Sequence, residues 1–362
     1  MRIEESSGHG AAGRRPGSGR SRRRRAGDPG VTGAVNHRDR GRFRHGVLLV
    51  DDDDTIERRL VPALRRDITA GQAVLMVVGA ATAEIVRDRL GPDADALQWA
   101  PADGFYQRLG FTYRTFDHYL RRQHARRQPI HVVAEPDLIS DARAPVDRTA
   151  AYLNYEAMTN HRYAGYGSPI TCIWHRRHHR ASIIDDVRSV HSHELTAGGG
   201  YDNPGYVTPG AYLTAHAQTR LSPAPPITDL SLTLADLAEL AGCRAVVADW
   251  AARHHFVPAA VRQVVLATSE VVTNGLHHGH PPVRVNGWHQ DDTLIVHIED
   301  HGGRPIAADA GYRPPAAPTG PAGLWTARQL ADVLLTHTHG GRTTVRMYFP
   351  HAVTHHTLDI PP

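Results

Sequence analysis

Four short apolar runs, interleaved with segments of helical spacing, set the narrowest limit on this chain: 47–50, 73–78, 130–134 and 170–174 read as strands. They are apolar at nearly every position, so each strand is expected to be buried on both faces. The stretches 56–67, 81–90, 119–127 and 149–162 carry helical periodicity. Alternation of this kind gives an α/β fold, with a mostly parallel sheet and helices on its faces.

Such sheets often carry a phosphate site, and here one missing residue type closes the usual routes. All 41 side chains counted as Lys or Arg are arginine. A Walker A loop has no lysine to place on its phosphates, and lysine Schiff-base chemistry is excluded. Asp51 to Asp54, at the end of the first strand, look like the start of a response-regulator receiver, but that site also needs a lysine. A length of 362 residues suggests two folded units. Cys172 and Cys243 are too far apart in the chain to suggest a disulfide framework. No apolar stretch approaches the roughly 18 to 20 residues of a membrane span, and no signal-like run follows the charged N-terminus. A cytoplasmic protein is expected. Residues 1–44, rich in Arg, Gly and Ser, are expected to form a disordered basic tail rather than a nucleic-acid arm. The histidine clusters at 175–179 and 277–280 lack regular metal-ligand spacing, and arginines beside the first repel a cation. Cys172, inside an apolar run, reads as a small buried hydrophobe.

The stretch 197–210 is loop-like, and Leu221-Ser-Pro-Ala-Pro-Pro226 is the best linker in the sequence. The expected organisation is a first domain over 45–220, a linker over 221–228, a second domain over 229–352 and a tail over 353–362. In the second domain helices are expected over 232–254, 259–278 and 323–335, and strands over 283–288, 293–299 and 343–349. Helix 259–278 buries a stripe of Val261, Val264, Val265, Val271 and Val272. Glu270 and Asn274 lie one turn apart on it and point the same way. An amide and a carboxylate suit a magnesium ion carried by a nucleotide, because magnesium takes few protein oxygens beside phosphate oxygens. Asp300, at a strand end, can accept the exocyclic amine of adenine, and Gly302 permits close approach of the base. Gly320 and Gly323 precede a helix whose N–H groups and dipole suit phosphate. The Pro- and Ala-rich 307–319, between Gly302 and Gly320, reads as a lid.

In this order and spacing, Ser269-Glu-Val-Val-Thr-Asn274-Gly-Leu-His-His-Gly279 resembles the N box of GHKL ATPases, in the form of the anti-sigma serine/threonine kinases. Asp300 to Pro305 resembles their first glycine box, and Gly320 to Arg328 their second. Gly341 to Thr344, before a strand, resembles the end of the domain. The resemblance implies an α/β-sandwich (Bergerat) fold that binds ATP and Mg2+. It implies that Asn274 coordinates magnesium and Glu270 acts as general base. Asp300 and Gly302 would bind adenine, Gly320 and Gly323 would support the lid and phosphates, and Thr344 would join the adenine-side hydrogen bonds. Pro321 and Ala322 depart from the family, which often has a second glycine there. The implied activity is phosphorylation of an anti-sigma antagonist of STAS type, binding of a sigma factor, or both. Two alternatives stand beside it: a sensor-histidine-kinase-like enzyme, and a non-catalytic nucleotide-responsive binding module. The first lacks a helical hairpin presenting a histidine, since His254 and His255 fall at a helix end.

In the first domain, His45-Gly-Val-Leu-Leu-Val, Ala70 to Leu75, Ala134-Glu135-Pro136, Tyr152-Leu-Asn-Tyr-Glu156, Asn160 and Tyr166 to Cys172 resemble the MEDS sensory domain. Ile173-Trp174-His175 stands where members of that family often carry Tyr-Asp. This resemblance implies a RecA-like, mostly parallel sheet without a P-loop lysine, a small-molecule signal or docking partner, and a possible homodimer.

Overall fold

The computed structural model describes residues 43–102, 105–138, 144–196, 198–217, 221–302, 305–315 and 322–351. Most of the basic N-terminal segment, the tail from residue 352, Gly320, Pro321 and residues 316–319 of the expected lid lie outside the described residues.

The first sheet is built from β1 (His45–Val50), β2 (Ala73–Val78), β3 (Gln98–Pro101), β4 (Ile130–Ala134), β5 (Ile170–His175), β6 (His193–Thr196) and β7 (Gly199–Asp202), in the order β3-β2-β4-β5-β1-β6-β7. Its pairings are parallel except that of β6 with β7. Its helices are the single turn α1 (Asp53–Thr55), α2 (Val61–Thr69), α3 (Ala80–Leu90), α4 (Leu109–Ala125), α5 (Arg148–Arg162), α6 (Ala181–Val190) and α7 (Pro209–His216). Successive side chains of a strand face opposite ways. Val47 and Leu49 therefore join a core with α4, α5 and α6, while Leu48 and Val50 join one with α2 and α3. Both faces are covered, as the unbroken apolar runs require. The acidic run after β1 is used locally: Asp52 caps α1 by accepting from the Thr55 N–H at 2.9 Å, and Arg176 pairs with Asp51 at 3.0 Å.

Helix α4 begins at Leu109, well before residue 119. Aromatic residues are modest helix formers, but Tyr113, Phe116 and Leu120 share one face and are buried. The segment 197–210, expected as loop, holds β7, which β6 pairs in a hairpin.

The second sheet, β8 (Leu230–Leu234), β9 (Val283–Gln290), β10 (Thr293–Asp300), β11 (Val333–His339) and β12 (Arg342–Pro350), has the order β11-β12-β10-β9-β8 and is antiparallel throughout. Helices α8 (Leu240–Arg253), α9 (Pro258–His278) and α10 (Gly323–Leu330) cover one face through Val247, Val264, Val271, Val272 and Ala327. Two expected helices are shorter than the sequence suggests. Residues 230–234 form β8, because Leu230 and Leu234 are buried around an alternating Ser231 and Thr233. Helix α10 stops at Leu330, and Val333 and Leu334 enter β11.

Both sheets belong to one compact unit. Trp288, Ile295 and Tyr348, on the face of the second sheet away from α9, join the core that contains α4 and α5. The Pro-rich 221–226 is irregular, yet Ala224 packs against that core. Gly110 of α4 meets α10 so closely that a Cβ there would stand 2.0 Å from the Arg328 carbonyl oxygen. Arg148 of α5 forms a two-pronged ion pair with Asp332, at 2.6 and 2.8 Å. Among the described residues no helix is long and apolar enough to cross a membrane.

Candidate nucleotide site

Helix α9 starts where Pro258 occupies a first turn that has no use for its missing N–H. Its valines fix the rotation of the helix on the sheet, and the neighbouring stripe of Val271, Asn274, Gly275 and His278 lines a cavity of about 360 Å³. That volume is the scale of a small-molecule site. The opposite wall is the sheet, with Ile298 and Asp300 from β10 and Thr343 and Val345 from β12. Ile306 and Gly311, together with Gly323 and Leu324 at the start of α10, close the remainder.

Asp300 is 8% exposed, and its Oδ1 accepts the Gly302 N–H at 2.8 Å. Its surroundings leave no room for side chains. A Cβ on Gly279 would lie 2.4 Å from Asp300 Oδ1, and one on Gly302 would lie 2.4 Å from the Gly279 Cα. The glycines thus let helix end, strand end and loop converge on one carboxylate. Gly279→Ala should push Asp300 out of place, lowering stability by about 1–3 kcal/mol and weakening nucleotide binding. Thermal melts and ATP titration of the variant measure both. At the other end of the cavity, a Cβ on Gly323 would come within 2.5 Å of the Asn274 amide nitrogen. The Asn274 amide therefore sits against the N-terminus of α10, where backbone N–H groups and the helix dipole favour phosphate.

Of the residues singled out in the sequence, Asn274, Asp300, Gly302 and Gly323 come together around this cavity. Gly320 lies outside the described residues. Glu270 is half-buried one turn before Asn274 and is not part of the lining. Thr344 needs a correction: the alternation of β12 turns Thr343 and Val345 into the cavity and Thr344 to the other face. Thr344 pairs instead with Glu299, whose carboxyl is held below its usual range by a hydrogen bond from His297. Thr343 stands directly opposite Asp300 in the strand register, so it is the threonine placed beside the carboxylate. Thr343 was not picked out from the sequence, and His278 was weighed there only as part of a histidine cluster. The helical step from Asn274 to His278 and the alternation outward from Val345 were the signals for them.

The expected lid is anchored where it is described. Tyr312 is 4% exposed, meets the Tyr155 ring edge-on at 4.9 Å, and lies under the Arg328 guanidinium at 3.8 Å. Tyr155 belongs to α5 of the first sheet, so that sheet's helices touch the segment that borders the cavity.

A glycine-rimmed cavity between a long helix and an antiparallel sheet, with an asparagine on the helix and an aspartate at the strand end, defines an ATPase domain of the GHKL class. Residues 233–349 match the family described as histidine kinase-like ATPase domain. Residues 44–192 match MEDS, the methanogen/methylotroph, DcmR sensory domain. The chain thus carries a MEDS domain followed by a GHKL-type ATPase domain. Among solved structures it is similar to the RsbU and RsbW domains of Rv1364c from Mycobacterium tuberculosis, at 21% identity and TM-score 0.27, over 36% of this chain and 33% of that one. It is also similar to the Acinetobacter baumannii histidine kinase AdeS, at 14% identity and TM-score 0.24, over 34% of this chain and 68% of that one. The chain therefore spans about a third of the first of these structures. No curated protein matches it.

Proposed function

We propose that this chain is an ATP-dependent regulatory protein kinase of the anti-sigma-factor type, whose MEDS domain acts on the nucleotide site. The observation that carries the reading is the convergence of Asn274, Asp300, Gly302 and Gly323 on one cavity of about 360 Å³. Asp300 and Thr343 would hold adenine, and the start of α10 would meet the phosphates. Asn274 would hold the magnesium ion that accompanies ATP, which supplies charge neutralisation. The fit rests on the donor set: an amide oxygen beside a helix N-terminus, with no side chain at Gly323 to fill the space. In the reaction, a serine or threonine hydroxyl of the acceptor attacks the γ-phosphorus. The bond from that phosphorus to the ADP oxygen breaks, and Glu270 takes the hydroxyl proton. The acceptor would be an anti-sigma antagonist, and the added charge of about −2 would expel it from its interface. The tyrosine contact between α5 and the segment after Gly302 gives the sensory domain a physical hold on this site.

Asn274→Ala should weaken magnesium-ATP binding by the worth of a contact to a charged group, about 1.5–3 kcal/mol or roughly 10- to 100-fold. It should also remove the dependence of binding on magnesium. Calorimetric titration of the full chain with ATP, with and without Mg2+, reads both effects. Binding unaltered in the variant would overturn the assignment of Asn274. Transfer of labelled phosphate to an acid-stable linkage supports a hydroxyl acceptor, whereas an acid-labile label on the chain itself would favour the histidine-kinase alternative.

A further inference from the structure

The first domain holds four buried groups that the nucleotide site does not use. His45 opens β1, Glu156 lies on α5, Cys172 is on β5, and His191 follows α6 directly. They are 0%, 2%, 2% and 0% exposed. One donor atom from each lies within 4.8 Å of the other three. Parallel pairing of β1 with β5 sets Val47 opposite Cys172 and so brings the thiol near His45.

We infer that His45, Glu156, Cys172 and His191 form a binding site for a transition-metal ion of the zinc type. Their separations suit one. His45 Nε2 lies 3.0 Å from Glu156 Oε2 and 3.4 Å from Cys172 Sγ. Cys172 Sγ is 3.7 Å and His191 Nε2 3.8 Å from the same Glu156 oxygen. A tetrahedral ion with bonds of about 2.0–2.3 Å has donor atoms about 3.3–3.8 Å apart. Three of these four separations fall in or at the edge of that range, the His45–Glu156 edge would have to lengthen slightly, and the remaining separations stay within 4.8 Å.

The alternative is a plain buried His–Glu pair with the Cys172 thiol donating to the same carboxylate, and it leaves His191 unexplained. His191 Nδ1 is 2.6 Å from the Val187 carbonyl. A carbonyl only accepts, so Nδ1 carries the proton and Nε2 turns a lone pair toward the cluster. That Nε2 is fully buried without a hydrogen-bond partner. The single proton on His45 Nε2 cannot serve Glu156 and His191 together, and an unmet buried acceptor costs about 1–3 kcal/mol. A metal ion between His45 Nε2, Glu156 Oε2, Cys172 Sγ and His191 Nε2 gives the His191 lone pair its partner. Fixing one imidazole nitrogen through the other's bond to a backbone carbonyl is also how metal-binding histidines are oriented. Sulfur and imidazole donors select zinc-like ions over magnesium or calcium. On binding, Cys172 loses its thiol proton to solvent and His45 carries its proton on Nδ1. Thiolate and carboxylate then balance a divalent charge, which keeps the buried site neutral. A cavity of about 20 Å³ bordered by His45, Glu156 and Cys172 leaves room for one atom-sized occupant beside them.

The test is titration of the full chain, freed of metal by chelation, with Co2+. One ion per chain should bind, with a thiolate-to-cobalt charge-transfer band and the intense visible bands of a tetrahedral ion. Added Zn2+ should erase both. Cys172→Ser should lose the charge-transfer band, and His191→Ala should weaken binding. A wild-type chain that is folded by circular dichroism but binds no Co2+ would overturn the site, whatever the variants do. A charge-transfer band that persists in Cys172→Ser would overturn it equally, since the thiolate would then be Cys243. No nucleotide enters this measurement, so its outcome is independent of the kinase reading.

Discussion

Arg148→Ala is expected to lower the stability of the chain by about 3–5 kcal/mol, the usual effect of stripping one partner from a buried ion pair. The two ends of this pair are unequal. The Asp332 side chain is 1% exposed and that of Arg148 is 31% exposed. Removing the arginine strands a carboxylate that water cannot reach. Its remaining help is the Leu109 N–H and the more distant charge of Arg108, which places the loss toward the lower end of that range. Asp332→Asn should do less harm, because a partly exposed guanidinium can turn to solvent, and Arg148 also donates to the Tyr106 carbonyl at 2.6 Å. Urea unfolding of the two variants measures this ordering. Equal losses below about 1 kcal/mol would put the pair in the class of surface ion pairs and remove it from any role in docking the sheets. The pair matters to function because α10 has only eight residues. Its first, Gly323, borders the nucleotide cavity, while Arg328 packs on Gly110 and Asp332 follows just beyond its end. A shift of α4 or α5 therefore displaces the same helix whose N-terminus borders that cavity.

How legible this was in the sequence depended on whether the signal was local. Runs such as 47–50 and 73–78 are apolar without alternation, and a strand buried on both faces was the reading they allowed; β1 and β2 are such strands. The gathering of Asn274, Asp300, Gly302 and Gly323 around one cavity was readable because they lie on short segments in order, most with their own glycines. The reading failed by one residue at Thr344. Which face of β12 meets the cavity is set by pairing with β10, and a single-residue slip inverts the face. Leu232 and Leu234 were absorbed into a helix because the apolar spacing of 232–254 continues into α8 without a break. What separates them is their pairing with β9. The cluster of His45, Glu156, Cys172 and His191 had no local signature. Its members approach only through parallel pairing of β1 with β5 and the packing of α5 and α6. The dense histidine clusters that drew attention instead meet other needs where they are described, as when His175 Nε2 bonds Glu135 at 2.6 Å.

Glu270→Gln is expected to slow phosphoryl transfer by about 10²- to 10⁴-fold, the usual contribution of a general base, and to leave ATP affinity unchanged. The separation of the two effects follows from position. Asn274 lines the cavity and Glu270, one turn earlier on the same helix, does not. Residues at this spacing are neighbours on one face, so Glu270 can reach an acceptor hydroxyl beside the γ-phosphate without touching the nucleotide. Glutamine keeps the shape and the half-burial of the site but cannot take the proton. The pH profile tests the role itself. If Glu270 is the base, the profile of the variant should differ in shape from that of the wild-type chain. A loss of ATP binding as large as that of Asn274→Ala would make Glu270 part of the nucleotide site instead. Transfer at the wild-type rate, with its pH profile intact, would mean that the proton leaves by another route.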